Sequence, residues 1–258
     1  MITEHAQFKP YAQSEAFKRT YVPRSNDSRL VNRFSVNDER PLIVAELGEL
    51  DPRQLDQNLL LQINGIPSYL FERDNSTAYA VVEAHEFGVL DKDCTLFKFD
   101  AHPDMERGWD CPREGLEAAY RHYSQTQIYE AHFIWDLVRR GFVTEVVWFR
   151  SPTPLGFING NSKHLQEAFP NLRISEFWER DITSFDKCRI DRLPRRRIIL
   201  NTDYDYLALL RREYVFSATY MMRYIFQRAG LHVQALSYDY IEPHLARQLA
   251  VDFMGNVV

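Results

Sequence analysis

Apolar positions along the chain fall into short runs of strand length, separated by stretches with helical spacing. Pro41–Leu47, PLIVAEL, is the first convincing strand, being short, apolar and bounded by turn residues. TAYAVVEAH over Thr77–His85 and CTLFKFDAH over Cys94–His102 read as the next two strands. Two helices are expected after them, over Pro112–Tyr123 and Ile128–Gly141, the second stopped by Gly141 just past two arginines. TEVVWF (Thr144–Phe149) and RIILNTDYD (Arg197–Asp205) continue the strands. A helix over Ser217–Gly230 follows, with Ser217 as N-cap and Gly230 as stop. A strand over His232–Tyr240 and a last helix over Pro243–Phe253, opened by its proline, complete the series. Such alternation predicts an α/β fold with a mostly parallel central sheet flanked by helices.

The N-terminal stretch breaks this rhythm. Residues 1–40 are polar and irregular, with Pro10, Pro23 and the cluster Ser25–Ser28, and read as an arm or loops packed on the main body. No linker divides the rest, so residues 41–258 read as one domain.

Composition narrows the function classes. With 45% hydrophobic and 26% charged residues in 258, the chain has a globular profile and is not disordered wholesale. A net charge of −5 argues against a broad nucleic-acid face. No apolar run approaches membrane-span length, and the start MITEHAQFKP lacks an apolar signal core, so neither a membrane partner nor secretion is expected. Cys94, Cys111 and Cys188 are widely spaced and odd in number, which fits a reducing, cytoplasmic setting and no metal finger.

The chemistry-bearing residues stand where expected strands end. His85 follows AYAVV, Asp100, His102 and Asp104 follow TLFKF, and Asp203 and Asp205 follow RIILN. Ligands of parallel sheets collect outside the carboxyl ends of the strands. Residues two apart on extended chain point the same way, which would pair Asp100 with His102 and Asp203 with Asp205. A charged residue after an apolar strand is often only a solvated turn, but three clusters of metal-ligating types argue for more. All six offer nitrogen or oxygen, and the carboxylate excess favours Mn²⁺ over Fe²⁺ or Zn²⁺. Six ligands exceed the needs of one catalytic ion with an open position and suit two ions sharing a carboxylate. Such ions bring bound water towards a neutral pKa.

At these residues the sequence resembles the arginase/deacetylase superfamily. DAHPD (Asp100–Asp104) matches its D-A-H-x-D metal motif. NTDYD (Asn201–Asp205) stands in the place of its S-x-D-x-D motif, with Asn201 for the serine. VVEAHEFG (Val81–Gly88) stands in the place of the segment that brings the first histidine, and the resemblance runs from about Thr77 to Pro243. Within the superfamily the sequence is most similar to a divergent arginase-like group, the UPF0489 family, whose pattern appears as VEAHE, FDAHPD, EVVWF and IILNTDYD.

The resemblance implies a three-layer arginase/deacetylase-like fold and two Mn²⁺ per chain, held by His85, Asp100, His102, Asp104, Asp203 and Asp205. It implies a substrate-pairing glutamate just before a proline, which is Glu242, with Asp239 a weaker competitor. Its proton-shuttling histidine has no clear match. His122 and His132 are the candidates, against the blander reading of half-buried structural histidines. Trp109 and Tyr206 would wall the substrate channel. Met105, Glu106 and Arg107 replace the extension that in free-arginine enzymes reads the α-carboxylate, as a peptide-acting enzyme, or equally an unrelated amide hydrolase, would show. The implied activity is therefore a peptide arginase of ribosomal peptide natural-product (RiPP) biosynthesis. It would convert arginine side chains of a precursor peptide to ornithine and release urea, with a homo-oligomer compatible. A deacetylase or amidohydrolase on the same fold is one alternative. The other is a non-catalytic, metal-stabilised binding protein, which Asn201 and the unmatched shuttle leave open.

Overall fold

A computed structural model describes residues 43–44, 59–71, 74, 76–107, 132–151, 161–238 and 240–257. Strand β1 (Ile43–Val44) lies within the first expected strand and pairs with β2 (Leu59–Ile63). A hairpin joins β2 to β3 (Ile66–Phe71) through Asn64 and Gly65, both with left-handed backbone, φ 52° and 74°. The expected elements do not include this hairpin, although Asn-Gly between apolar runs is its signature.

Helix α1 spans Ser76–Glu86, where a strand was expected. The run Thr77–Ala84 is buried throughout, so it carries no polar stripe to reveal a helical period. A short apolar run of that kind reads equally as a buried strand. Strand β4 (Cys94–Phe99), helix α2 (Phe133–Arg139) and β5 (Val143–Arg150) follow, with Gly141 turning at φ 74° after α2 as expected. Helix α3 (Asn161–Ala168), β6 (Arg173–Trp178) and the short α4 (Cys188–Asp191) lead to β7 (Ile198–Asp203) and α5 (Tyr204–Leu209). Helix α6 (Arg212–Phe226) begins earlier than expected, after an extended Arg211, which leaves Ser217 inside it rather than at its cap. Strand β8 (Leu231–Ala235) is shorter than expected, and Ser237 turns left-handed at φ 51° soon after it. Helix α7 (Pro243–Val257) closes the described chain. The expected helix over residues 112–123 and the boundary at residue 40 lie outside the described residues.

The strands form one sheet in the order β1-β2-β3-β8-β7-β4-β5-β6, parallel throughout except between β2 and β3. From β4 the chain steps outward to β5 and β6, then returns on the other side of β4 to form β7 and β8. This reversal opens a crevice between β4 and β7 at their carboxyl ends, the favoured ligand position in such sheets. Strand alternation sends Phe97, Phe99 and Leu200 into one core, beneath α5, α6 and α7. It sends Leu96, Val146, Trp148 and Ile199 into the other, beneath α1 and α2. Among the described residues no helix is long and apolar enough to cross a membrane.

Candidate metal centre

Lys98 stands in the middle of the crevice. It lies on β4 opposite Asn201 of β7 and is wholly buried. Its Nζ reaches Asp74 Oδ2 at 3.0 Å, Asp104 Oδ2 at 2.5 Å and Asp100 Oδ2. The Phe133 ring, 5.1 Å away, closes one side. Asp74, just before α1, is anchored in turn: its Oδ1 accepts from Asn201 Nδ2 at 2.7 Å and from Thr77 Oγ1 at 3.0 Å.

The loop after β4 turns Asp100 and His102 towards β7. Asp100 Oδ1 accepts from the main-chain N–H of His102 at 2.6 Å. His102 Nδ1 lies 2.8 Å from Asp205 Oδ2 and 3.6 Å from Asp100 Oδ1, and the Tyr240 ring lies 4.3 Å from the imidazole between centroids. Strand β7 ends at Asp203, which caps α5: its Oδ1 accepts from Asp205 N–H at 3.0 Å and its Oδ2 from Ser237 Oγ at 2.5 Å. Asp203 and Asp205 therefore meet the site as a cap and a first-turn residue, not as alternate residues of one strand. Asp104 and Ser237 both take left-handed backbone, φ 48° and 51°. Non-glycine residues adopt that region at a cost, which surrounding contacts must offset.

Two overlapping triads have ligand atoms within 4.8 Å of one another: Asp100, His102 and Asp205, and Asp74, Asp100 and Asp203. Their electrostatics invite a cation. Burial, then repulsion from Asp205, Asp100 and Asp74, holds the Asp203 carboxyl well above its usual range. Burial also raises Asp104, against the pull of Lys98, and burial with the Asp100 charge raises Asp205. Asp100 runs the other way: Lys98 and His102 outweigh burial and hold it below the carboxylate range. Burial opposes a charged His102, yet hydrogen bonding and charge from Asp100 and Asp205 push it up to about 10. Burial likewise opposes a charged Lys98, and Asp100, Asp104 and Asp74 overcome it. The donor set fits a divalent ion: it is all nitrogen and oxygen, and the buried Asp205 Oδ2 meets only the His102 imidazole, itself a metal-ligating group.

Of the expected ligands, the structure gathers Asp100, His102, Asp104, Asp203 and Asp205, and leaves His85 elsewhere. Helix α1 starts beside Asp74 at the carboxyl edge of the sheet and runs back to the opposite edge. It carries His85 to Leu90, whose carbonyl is 3.2 Å from Nδ1, and to the edge of the Phe142 ring. Asp74, not His85, is what this segment contributes to the cluster. Glu242 is exposed at the start of α7, on the loop that brings Ser237 and Tyr240 to the site, and its carbonyl accepts from Leu245 and Ala246. His132 precedes α2, half-buried, with Nε2 3.5 Å from Glu106 Oε2. Tyr206, expected on a channel wall, is wholly buried against the edge of Phe99, because α5 turns it into the core. His122, Trp109 and Asp239 lie outside the described residues.

Lys98 and Asp74 went unread in the sequence. A lysine inside the apolar run CTLFKF, two residues before Asp100, was the available signal, since it must share that aspartate's face. Asp74 carries the look of an ordinary helix cap ahead of Thr77. No protein-family model matches the chain, and no curated protein matches it.

Proposed function

We propose that this protein is a metal-dependent hydrolase of the arginase kind, converting arginine side chains within a peptide to ornithine with release of urea. The observation that carries the reading is the convergence of DAHPD, just after β4, and NTDYD, at the end of β7, on one crevice at the sheet's switch point. Asp100, His102 and Asp205 would hold a divalent ion, with manganese favoured by the carboxylate excess. Such an ion, when bound, supplies the Lewis acidity that makes water a nucleophile near neutral pH.

The chain's own residues do the rest. Ser237 and the α5 N-terminus fix Asp203, and Tyr240 covers the imidazole of His102. Glu242, exposed and two residues after Tyr240, would pair its carboxylate with a guanidinium entering from solvent. His132, beside Glu106, is the candidate to carry a proton to the leaving amine. Met105, in the region where free-arginine enzymes read the α-carboxylate, is apolar and wholly buried, which suits a substrate whose α-groups are amides. The partner in this reading is an arginine-containing precursor peptide in the cytoplasm.

The test is to incubate the protein with Mn²⁺ and a set of arginine-containing peptides. Urea release and the mass loss of an arginine-to-ornithine conversion are expected. Their absence across the set overturns the reading, and turnover of free arginine alone overturns its peptide part. One observation favours a second reading, a deacetylase or amidohydrolase with a single ion: Lys98 already occupies carboxylates that a second ion would need. Acid release from acylated lysine peptides, with no urea, would establish it.

A further inference from the structure

We propose that Lys98 is a resident cation: its ammonium takes the place of one of the two metal ions that the sequence leads one to expect, so the chain holds a single divalent ion at Asp100, His102 and Asp205. The inference rests on the metal-dependent reading above only for the premise that an ion binds at all.

The two candidate triads differ in what already occupies their oxygens. In the triad of Asp74, Asp100 and Asp203 every carboxylate oxygen has a donor. Asp74 Oδ1 takes Asn201 and Thr77, and its Oδ2 takes Lys98. Asp100 Oδ2 takes Lys98 and its Oδ1 the His102 N–H. Asp203 takes the Asp205 N–H and the Ser237 hydroxyl. In the other triad Asp205 Oδ2 meets only the His102 imidazole, whose Nδ1 is 2.8 Å away, and His102 is the partly exposed member, at 19%. One triad is thus saturated and already holds a positive charge. The other holds no buried lysine, and its imidazole has a face towards solvent, where an ion can replace the proton shared by His102 and Asp205.

Lys98 also has nowhere else to put its charge. Its Cα is fixed in a central strand between β5 and β7, its side chain is wholly buried, and the neighbour on its face, Leu96, is apolar. Swinging Nζ away from Asp74, Asp100 and Asp104 would leave an unpaired ammonium in the core, which is among the costliest arrangements available. An ion entering the saturated triad would have to evict that ammonium or sit beside it.

The experiment uses the full chain and Mn²⁺ alone. The protein is stripped with chelator, loaded, freed of excess ion, and assayed for manganese per chain together with its low-temperature electron paramagnetic resonance. One ion per chain with the spectrum of an isolated Mn²⁺ is expected. Two ions per chain with an exchange-coupled spectrum overturn the inference and leave the hydrolase reading standing. No retained ion overturns the metal-dependent reading itself, and this inference with it. Lys98→Met, checked for native fold by circular dichroism, is expected to raise the count from one to two, because it frees the oxygens of Asp74, Asp100 and Asp104. A folded Lys98→Met that still holds one ion overturns the assignment. Should the variant not fold, the wild-type count and spectrum decide.

Discussion

Trp148 donates its indole N–H to the main-chain carbonyl of Asp100 at 2.8 Å, tying β5 to the first residue beyond β4. Both partners are buried, so this bond fixes where the ligand loop leaves the sheet. Trp148→Phe keeps most of the apolar bulk and removes the donor. An orphaned buried carbonyl costs about 1–3 kcal/mol, which denaturant unfolding will show. Loss of such an outer support typically weakens metal affinity about 10–100-fold, and titration calorimetry with Mn²⁺ is expected to report a fall of that size.

Asp203 sets metal affinity against stability. Its carboxyl is held well above the usual range by burial and by Asp205, Asp100 and Asp74, so at neutral pH its charged form strains the metal-free fold. Asp203→Asn retains an oxygen to accept the Asp205 N–H and discards the repulsion. The metal-free variant is expected to gain about 1 kcal/mol, or about 2–4 °C in melting temperature, while Mn²⁺ binding falls. His102→Ala is expected to lose both metal and turnover, whereas Asp203→Ala, which releases the Asp205 N–H, is expected to weaken metal retention and lower turnover.

His232 makes the fold sensitive to acid. Burial pushes its pKa down to about 3; Thr202 Oγ1 lies 3.3 Å from Nε2, and the rings of Phe226 and Phe253 meet it edgewise. The unfolded chain therefore binds a proton that the folded chain refuses over the window from about 6.5 down to about 3. Stability contributed by the neutral imidazole is present above that window and is lost as pH falls through it, at about 1.4 kcal/mol per unit. His232→Leu is expected to flatten the slope of unfolding free energy against pH in that window relative to wild type. Parallel slopes for the two proteins would refute the assignment.

Gly230 ends the turn into β8 where no side chain fits. A Cβ there would lie 2.7 Å from the Arg195 carbonyl oxygen and 3.1 Å from Leu90 Cδ2. Gly230→Ala is expected to destabilise the protein by about 1–3 kcal/mol through overpacking. Metal stoichiometry should not change, because the clash lies at the far edge of the sheet from Asp100 and Asp203.

Glu242→Gln separates binding of the ion from use of it. The residue is exposed and outside both triads, so manganese content is expected to stay at the wild-type level while turnover of an arginine peptide falls at least tenfold. A near-full rate would remove Glu242 from the substrate's reach.

The strands that carry the ligands were legible because they are short, apolar and followed at once by acidic residues. β4, β5, β7 and β8 stand where their patterns place them. Asp100, His102, Asp203 and Asp205 were legible for the same reason. Thr77–His85 misled because a helix buried on every side loses its period, and the error carried His85 with it. Strand β6, exposed or half-exposed throughout at the sheet edge, has a mixed pattern that nothing in the local sequence marks. Lys98 escaped because local reading treats a lysine as solvated, whereas its partner Asp74 belongs to another part of the chain.

The pairing of β4 with β7 has a consequence for biogenesis. Each strand brings only part of the ligand set, and the two become neighbours only after the whole β5–β6 excursion has been made and retraced. A ribosome-bound chain that has emerged only as far as β6 would present Asp100 and His102 without Asp205 and could not hold the ion firmly. In the metal-dependent reading, capture of the ion would be a late checkpoint, passed only by molecules whose distant parallel strands have already zipped together.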